Sequence, residues 1–213
     1  GAGHMFRVST LDLANLPRPI VGYVGAINEK LDYELLRGVA MSVPGTLVLV
    51  GPMLLRLDLS GRDALELPNV RFLGQKPVTQ VPDYVAACDV CLMPYKLNEW
   101  TAHINPLKLY EYLAAGRPVL ALAPELGEAA RVLSKGVMTV LADPQGAEDA
   151  AGKLLDLFGR WERGELFDLP APEVPAEFTR AYQAKQLAGI LDAVTAGRRE
   201  GAAEGGVIRI GAE

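Results

Sequence analysis

Cysteine is scarce in this chain, which contains only Cys88 and Cys91 among its 213 residues. Their C-x-x-C spacing could indicate a redox pair or one half of a zinc site. A redox pair of this kind opens a helix after a strand, whereas these residues end a helical run and enter an apolar strand. No second group of Cys or His residues follows that could complete a zinc site. We therefore predict two reduced thiols in the core, a use of cysteine that is compatible with a cytosolic location.

Positive charge is also in short supply. Lys and Arg number 21 against 26 Asp and Glu, which gives a net charge of -5 and a pI near 5.2. This balance argues against broad binding to nucleic acid, so any attraction for phosphate must be local. No apolar run approaches the ~20 residues that span a bilayer, and no secretory leader is visible. We expect a cytoplasmic chain, and half of its residues are hydrophobic, which is ample for a core.

Short apolar runs alternate with helical patterns from residue 20 onward. The runs predicted to be strands are IVGYVG, TLVLVG, VRFLGQ, DVCLMPY, VLALA and VMTVLA. Runs without a polar side are typical of parallel strands covered on both faces, and the helices between them supply right-handed crossovers. The predicted fold is α/β, a doubly wound and mostly parallel sheet of Rossmann-like architecture. In such a sheet, ligands sit beyond the carboxyl ends of the strands, near the switch in strand order.

The predicted domain organisation follows from where this alternation begins and ends. Residues 1–5 are predicted to be a tag remnant, and residues 6–19 a linker or lead-in. Residues 20–195 form the predicted Rossmann-like domain, which includes a C-terminal amphipathic helix. Residues 196–213 are rich in Gly and Ala with little to bury, and we predict that they form a flexible tail.

One short helix is predicted within the stretch from Asn98 to Ala123. Asn105 is its predicted N-cap, with Pro106 as the first helical residue, and Gly116 is its predicted left-handed C-cap. Asn105, Lys108 and Glu111 are spaced by three, so we expect them on one polar ridge of the helix. Leu109, Tyr112 and Leu113 make the opposite, apolar ridge.

The polar ridge has two interpretations. Free backbone amides, Lys108 and Glu111 could hold a nucleoside diphosphate, with the cation on phosphate and the carboxylate on ribose. Alternatively, Lys108 and Glu111 form an ordinary surface pair worth about 0.2–0.5 kcal/mol, which spacing alone favours. The predicted sheet supports the first interpretation, because Gly25, Gly74 and Tyr95 follow strands and would share one rim with the start of this helix.

The glycines of the first turn do not form a dinucleotide fingerprint. Gly22 and Gly25 would allow a tight strand-to-helix turn and a close approach of the backbone to a ligand. Their spacing is not G-x-G-x-x-G, and the acidic residue expected about twenty positions further on is absent. A nicotinamide-dependent dehydrogenase is therefore disfavoured.

Two segments resemble a known family. They are NVRFLGQKPVTQVPDYVAACDVCLMPY and NPLKLYEYLAAGRPVLA. Together they resemble the carboxyl-terminal, nucleotide-sugar-binding domain of retaining glycosyltransferases of GT-B type, which have two Rossmann-like domains and serve in bacterial polysaccharide assembly. The resemblance spans Pro19 to Val194, and its most specific part is Asn-Pro-x-Lys-x-x-Glu-Tyr-x-Ala-x-Gly, within residues 98–119.

The resemblance implies roles for particular residues. Glu111 would grip the ribose hydroxyls, while Lys108 and the amides that open the helix after Asn105 would face the diphosphate and the leaving oxygen. Lys108 and Glu111 are thus the implied catalytic residues. Gly25 and Ala26 match a turn whose amides approach phosphate. The segment beside the base is matched by Gly74, Lys76 and Pro77.

The sequence departs from the family pattern at two places. Relatives commonly have a second Glu eight positions before the ribose Glu, and His103 stands there in this chain. His103 could bind the donor sugar or a phosphate, or it could cap or line its loop. Relatives also commonly offer Arg and Lys after the first turn, whereas only Lys30 could take that place here. Because no Asp-x-Asp triplet of metal-dependent transferases is present, we predict no metal and no cofactor besides the nucleotide sugar.

The resemblance also implies that a second domain is required for activity. Its length suits only one of the two domains, so we expect a missing N-terminal acceptor domain upstream of Phe6, through which a membrane-associated acceptor could be reached at the inner face of the membrane. The isolated chain is then expected to bind nucleotide weakly and to transfer no sugar. Two alternatives remain: a non-catalytic flavodoxin-like or receiver-like interaction module, and half of a sugar-nucleotide epimerase.

Overall fold

The computed structural model describes residues 11–54, 65–96, 98–99, 104–122, 128–135, 139–142, 147–166 and 175–204. The chain divides into two compact units, with the boundary between Glu173 and Val174.

The first unit is built on a parallel sheet of six strands. The strands are β1 (Ile20–Val24), β2 (Thr46–Val50), β3 (Val70–Gly74), β4 (Val90–Met93), β5 (Val119–Leu122) and β6 (Thr139–Ala142). Their order across the sheet is β3-β2-β1-β4-β5-β6, and every pair of neighbours is parallel. The six predicted strands and the doubly wound α/β fold are therefore confirmed.

Helices connect these strands. The helices of the first unit are α1 (Leu11–Ala14), α2 (Tyr33–Ser42), α3 (Val81–Ala87), α4 (Lys108–Ala115), α5 (Glu128–Leu133) and α6 (Ala147–Glu162), and Val78–Gln80 forms one turn of 3-10 helix. Helix α2 packs against α6, while α4 packs against both α3 and α5. Helices α2 and α6 cover one face of the sheet, and α3, α4 and α5 cover the other, as right-handed crossovers require.

Burial explains why the strands lack a polar side. All residues of β1, β2, β4 and β5 are buried, as expected for strands covered on both faces. Edge strand β3 differs, because Val70 is buried while Arg71 is exposed. The sheet and the helices packed against it therefore share the buried apolar side chains that stabilise the fold.

The cysteines lie in this core, as predicted. Cys88 and Cys91 are free thiols, and both are buried. Burial raises the pKa of the Cys91 thiol. A Cβ atom at Gly22 would lie 2.1 Å from the Cys88 sulfur, so Gly22 makes room for a core thiol within β1. The prediction that Gly22 belongs to a ligand-binding turn is wrong.

The switch in strand order lies between β1 and β4. Successive connections from β1 run outward to β2 and β3, and the chain then returns to place β4 on the other side of β1. The pairing of β1 with β4 covers Val21 with Val90 and Gly22 with Cys91. Beyond that point the hydroxyl of Tyr112, on α4, connects the two strands. It accepts from the Val24 amide at 3.1 Å and donates to the Leu92 carbonyl at 3.2 Å.

The second unit consists of one turn of 3-10 helix, Ala176–Phe178, and the 25-residue helix α7 (Arg180–Glu204). The predicted amphipathic helix ended near Val194, and α7 continues beyond that residue. Exposed apolar side chains of α7 recur at helical spacing at Leu187, Ile190, Leu191 and Val194. Within the described ranges, no helix has the length and hydropathy of a membrane span.

Candidate functional site at the switch point

The turn after β1 opens the candidate site. Gly25 has φ +152°, and a Cβ there would lie 2.6 Å from the Lys108 Nζ, so this position requires glycine. The Gly25 amide donates to the Val50 carbonyl at 2.8 Å. Gly25 therefore allows close packing but does not offer its amide to phosphate, which corrects part of the predicted role. The next amide, that of Ala26, has no acceptor among the described residues.

Helix α4 begins at this same rim. Its first turn is tightened by bonds from the Leu109 amide to the Pro106 carbonyl and from the Tyr110 amide to the Leu107 carbonyl, both at 3.1 Å. The amides of Leu107 and Lys108 have no acceptor in the described part of the chain. Free amides at a helix start attract anions because their dipoles point outward.

Asn105 does not cap this helix, so that prediction is wrong. The residue before α4 is Leu107, which makes no side-chain capping bond. The Asn105 amide group instead donates to the Tyr110 hydroxyl at 2.7 Å. The tight turn at Pro106 moves the start of the α-helix two residues along the chain, out of reach of the Asn105 side chain. Gly116 is the left-handed C-cap, with φ +63°, as predicted.

Lys108 is turned inward rather than along a solvent-facing ridge with Glu111. Its ammonium donates to the hydroxyls of Tyr23 and Tyr95, the latter at 2.9 Å. It also lies 4.0 Å from the centroid of the Tyr23 ring and 4.9 Å from that of Tyr95. This corrects the predicted polar ridge: Lys108 points towards the ends of β1 and β4, whereas Glu111 stays exposed.

The pKa of Lys108 reflects this burial. Desolvation lowers it to about 7, with a smaller lowering from the nearby charge of Lys30, while the charge of Glu111 acts in the opposite direction. Burial also raises the pKa of Tyr23 and of Tyr95, so both phenols stay protonated and neutral. The ammonium is thus surrounded by neutral acceptors, in a place where an anion would complete its environment.

Lys30 lies on the segment that runs past Tyr95. Its amide donates to the Asn28 side chain at 3.2 Å, and its carbonyl accepts from the Lys96 amide at 2.8 Å. A bridge between Leu31 and Tyr95 joins this segment to the residues after β4. Lys30 and Lys108 are therefore brought close enough to interact electrostatically.

Glu111 lines a groove between α3 and α4. The groove has a volume of about 270 Å³, and its lining is otherwise apolar. The lining residues are Val81, Pro82, Ala86, Glu111, Ala114 and Ala115. A carboxylate at the rim of an apolar groove can accept hydrogen bonds from two neighbouring hydroxyls, which is what ribose offers.

The predicted base segment lies after β3. Gly74 has φ +66°, and its carbonyl accepts from the Gly51 amide at 2.9 Å. The Lys76 ammonium forms an ion pair with Asp12 of α1, and the Tyr84 hydroxyl donates to the same carboxylate at 2.9 Å. Both contacts lower the pKa of Asp12. Lys76 is thus engaged with α1 rather than gathered around Lys108.

Pro77 and His103 complete the set of predicted site residues. Pro77 precedes the 3-10 turn Val78–Gln80. His103 lies outside the described residues, so its two interpretations stay as predicted.

Three residues near the rim were missed or given another role by the sequence analysis. Tyr23 was placed only within an apolar strand, although its hydroxyl donates to the Ala26 carbonyl at 2.9 Å and accepts from Lys108. Tyr112 was assigned to an apolar face, which hides its hydroxyl. The Asp32 carboxylate accepts from the Leu35 amide at 2.9 Å and is the N-cap of α2. The Asp before a helical pattern was the available signal for that cap.

Comparisons with known proteins identify the family of this chain. The sequence pattern of the family glycosyl transferases group 1 matches residues 18–160. TuaH of Bacillus subtilis, named as a candidate teichuronic acid biosynthesis glycosyltransferase, is 38% identical over 102 residues, which make up 47% of this chain and 26% of TuaH.

Solved structures show the same fold. HepE from Anabaena, crystallised with UDP and glucose, has a TM-score of 0.64 and 20% identity, over 85% of this chain and 50% of HepE. Sucrose-phosphate synthase from Thermosynechococcus elongatus has a TM-score of 0.63 and 23% identity, over 84% of this chain and 46% of the synthase. The chain spans about half the length of these solved proteins. Its fold is that of the Rossmann-like domains of GT-B glycosyltransferases, and since the family pattern covers more than half of its residues, the chain belongs to the glycosyl transferases group 1 family.

Proposed function

We propose that this chain is the donor-binding domain of a glycosyltransferase, and that its donor is a sugar linked to a nucleoside diphosphate. The observation that supports this most is the group at the switch point: a partly buried ammonium on Lys108 near the amides of Ala26 and Leu107, which have no acceptor among the described residues. HepE, whose fold is similar, was crystallised with UDP and glucose. Bacterial polysaccharide or glycoconjugate synthesis is the proposed setting, because TuaH is named for teichuronic acid biosynthesis.

The proposed chemistry uses fixed charge. Breaking the bond between sugar and phosphate places negative charge on the leaving nucleoside diphosphate. Amides and an ammonium that are already oriented stabilise that charge without having to reorganise. Lys108 and the amides of α4 would act on the diphosphate in this way, while Glu111 would accept hydrogen bonds from the ribose in the groove beside α3. This division of roles requires no metal ion.

The second substrate would bind elsewhere. GT-B enzymes of this build close a cleft between two domains, and this chain spans about half the length of the solved proteins that it resembles. We infer that this chain is the carboxyl-terminal one of the two, that an amino-terminal domain supplies the acceptor site, and that transfer proceeds with retention. The family match favours this function over a receiver-like module, whose acidic cluster after β1 is replaced here by Gly25 and Ala26.

Calorimetric titration with UDP, GDP and ADP tests the proposed site. We expect saturable binding of one of them, weakened at least tenfold in Glu111→Ala, since hydrogen bonds to a charged group are worth about 1.5–3 kcal/mol. The matched control is Glu162→Ala, which removes an exposed glutamate in the last turn of α6, a helix length from the rim. The proposal fails if no nucleotide binds at millimolar concentration, or if Glu111→Ala binds as tightly as Glu162→Ala.

A second titration tests whether nucleotide binding depends on a metal ion. The affinity measured with EDTA should equal the affinity measured with added Mg²⁺. The reason is that Lys108 and the backbone amides would stabilise the negative charge of the diphosphate. A dissociation constant that worsens tenfold or more in EDTA would show instead that a metal ion bridges the diphosphate.

A further inference from the structure

The Lys108 ammonium is held in an unusual setting for a partly buried cation. Buried charges in proteins are normally paired with an opposite charge. Among the described residues no carboxylate forms a salt bridge with Lys108, and its two hydrogen-bond acceptors are the neutral phenols Tyr23 and Tyr95. An ammonium has three N–H donors, so one remains without an acceptor in this part of the chain.

The two phenols come from opposite sides of the switch point. Tyr23 lies in β1 and is 1% exposed, so its ring cannot move without disturbing the core. Its hydroxyl proton is directed to the Ala26 carbonyl, 2.9 Å away, which leaves the oxygen lone pairs for Lys108. Tyr95 follows β4 after Pro94, where a backbone bridge to Leu31 holds its main chain. Its half-buried ring packs against the core. The Lys108 side chain is therefore held between the ends of β1 and β4, at the edge of the sheet where ligands bind in folds of this kind.

The two phenols hold the Lys108 ammonium in place without neutralising its charge. A lysine side chain is flexible and its ammonium is strongly hydrated, so an unsupported Lys108 would point into water. A carboxylate partner would hold the ammonium but would neutralise the charge that an anion needs. Neutral hydroxyls and ring faces at 4.0 and 4.9 Å hold the ammonium and leave its charge available.

We propose that Tyr23 and Tyr95 are positioning residues, which hold the Lys108 ammonium at the Gly25–Ala26 turn so that its remaining N–H meets a phosphate oxygen of the donor. The proposal rests on the proposed function and deepens it, because it names how the phosphate-binding cation is oriented. Tyr23 and Tyr95 act through Lys108 and do not themselves touch the reacting atoms.

Neighbouring charged and titratable groups affect the pKa of Lys108. Lys30, before α2, lowers the pKa of Lys108, and Glu111, one turn along α4, raises it. Tyr23 and Tyr95 remain neutral near pH 7, because burial raises the pKa of each. Lys108 is therefore the group in this cluster whose protonation changes near neutrality. A bound phosphate, being an anion, must raise its pKa.

The test uses protein with ¹³C-labelled lysine, whose Lys108 signal is assigned from Lys108→Met. The probe is inorganic pyrophosphate, which needs no knowledge of the base. In the parent chain the Lys108 signal should titrate near pH 7, and saturating pyrophosphate should move that midpoint upward by about one unit or more. Tyr95→Phe should bind pyrophosphate about tenfold more weakly, because the Lys108 ammonium is no longer held at the turn and is protonated for less of the time. Its unliganded midpoint should also lie lower, since the hydroxyl stabilises the charged form.

The matched control is Tyr33→Phe, which deletes a hydroxyl at the same rim that donates to the Asn28 carbonyl at 3.0 Å and does not contact Lys108. Tyr33→Phe should have the same affinity for pyrophosphate and the same Lys108 titration midpoint as the parent chain. Tyr23→Phe should reproduce the effect of Tyr95→Phe, which guards against one variant failing to fold. The inference is overturned if both variants match the control in affinity and midpoint, or if pyrophosphate leaves the Lys108 midpoint unchanged. Failure of the proposed function is a separate result: no nucleotide binds, or binding ignores Glu111.

Discussion

At the scale of single residues, Lys108 decides how the site responds to pH. Burial lowers its pKa to about 7, so at neutral pH the unliganded chain holds this proton only part of the time. A diphosphate bound at the proposed site would stabilise the protonated form. Ligand binding and proton binding at Lys108 would then be coupled, and each would favour the other to the same extent.

This coupling predicts that affinity for a nucleoside diphosphate sugar is flat below pH about 7 and falls by up to tenfold per pH unit above it. Below that pH the free site already carries the proton; above it, binding must take a proton up. A sugar-linked diphosphate is the proper ligand, because it lacks the terminal phosphate group that titrates near pH 6. Calorimetry in two buffers of different ionisation enthalpy measures both the affinity and the proton uptake.

The control for this prediction is Lys108→Met, which removes the titrating group. Its affinity should be weaker than that of the parent and should lack the decline above neutral pH. An affinity of the parent chain that does not change between pH about 6 and about 9 would contradict the assigned coupling.

The contacts of two side chains, Lys108 and Asn105, could not be predicted from the sequence. Spacing alone placed Lys108 and Glu111 on one ridge, because residues three apart are neighbours on a helix. It could not show that the flexible lysine stem turns towards the sheet, since its acceptors, Tyr23 and Tyr95, are 85 and 13 positions away in the chain. Asn105 was misplaced for a similar reason: its amide found the Tyr110 hydroxyl instead of a helix amide.

At the scale of elements, the position of α4 depends on one buried hydroxyl. Tyr112 accepts from the Val24 amide and donates to the Leu92 carbonyl, so it joins α4 to both strands at the switch point. Burial raises the pKa of this phenol well above its ordinary value, which keeps the proton available for donation. The start of α4, with its free amides, is thereby held against the turn at Gly25.

We therefore predict that Tyr112→Phe lowers the free energy of unfolding by about 1–3 kcal/mol, because it leaves buried polar groups without this partner. It should also weaken nucleotide binding, since α4 is less firmly held. Chemical denaturation and the calorimetric titration measure the two effects. Tyr110→Phe, on the more exposed side of the same helix, is the control and should change stability by less than about 0.5 kcal/mol. Equal stability of the two variants would show that the buried hydroxyl does not anchor the helix.

Elements were easier to predict from sequence than contacts. Strands β1, β2, β4 and β5 are short, mostly apolar runs, and that pattern follows directly from burial on both faces. Gly116 ended α4 as predicted because few residues tolerate its left-handed conformation. The start of α4 was wrong by two residues, since a tight turn there satisfies amides that an N-cap would otherwise serve.

At the scale of the whole molecule, the fold brings distant residues to one edge. In a parallel sheet every strand ends at the same edge, so Gly25, Gly74 and Tyr95 reach one rim although they are far apart in sequence. Alternating strands and helices allowed this edge to be predicted. The sequence did not indicate which side chains at the edge are already engaged, as Lys76 is with Asp12.

Chain length leads to a prediction about activity. Because this chain spans about half the length of the solved proteins that it resembles, we expect it to bind the donor and not to transfer its sugar. Incubation with a labelled donor and acceptor lipids, followed by product separation, measures this directly. The positive control is the binding titration on the same preparation. Transfer of label to an acceptor by this chain alone would contradict the proposed division of labour.

The most direct measurement for the account is a map of backbone amide shifts by NMR as a nucleoside diphosphate is added. The predicted result is that the largest shifts fall on Ala26, Leu107 and Lys108, with Glu111 in the adjacent groove, while Gly45 and Arg117, which precede β2 and β5 at the opposite edge of the sheet, stay in place. Shifts that instead gather at that opposite edge, or that leave Ala26 and Lys108 unchanged at saturation, would contradict it.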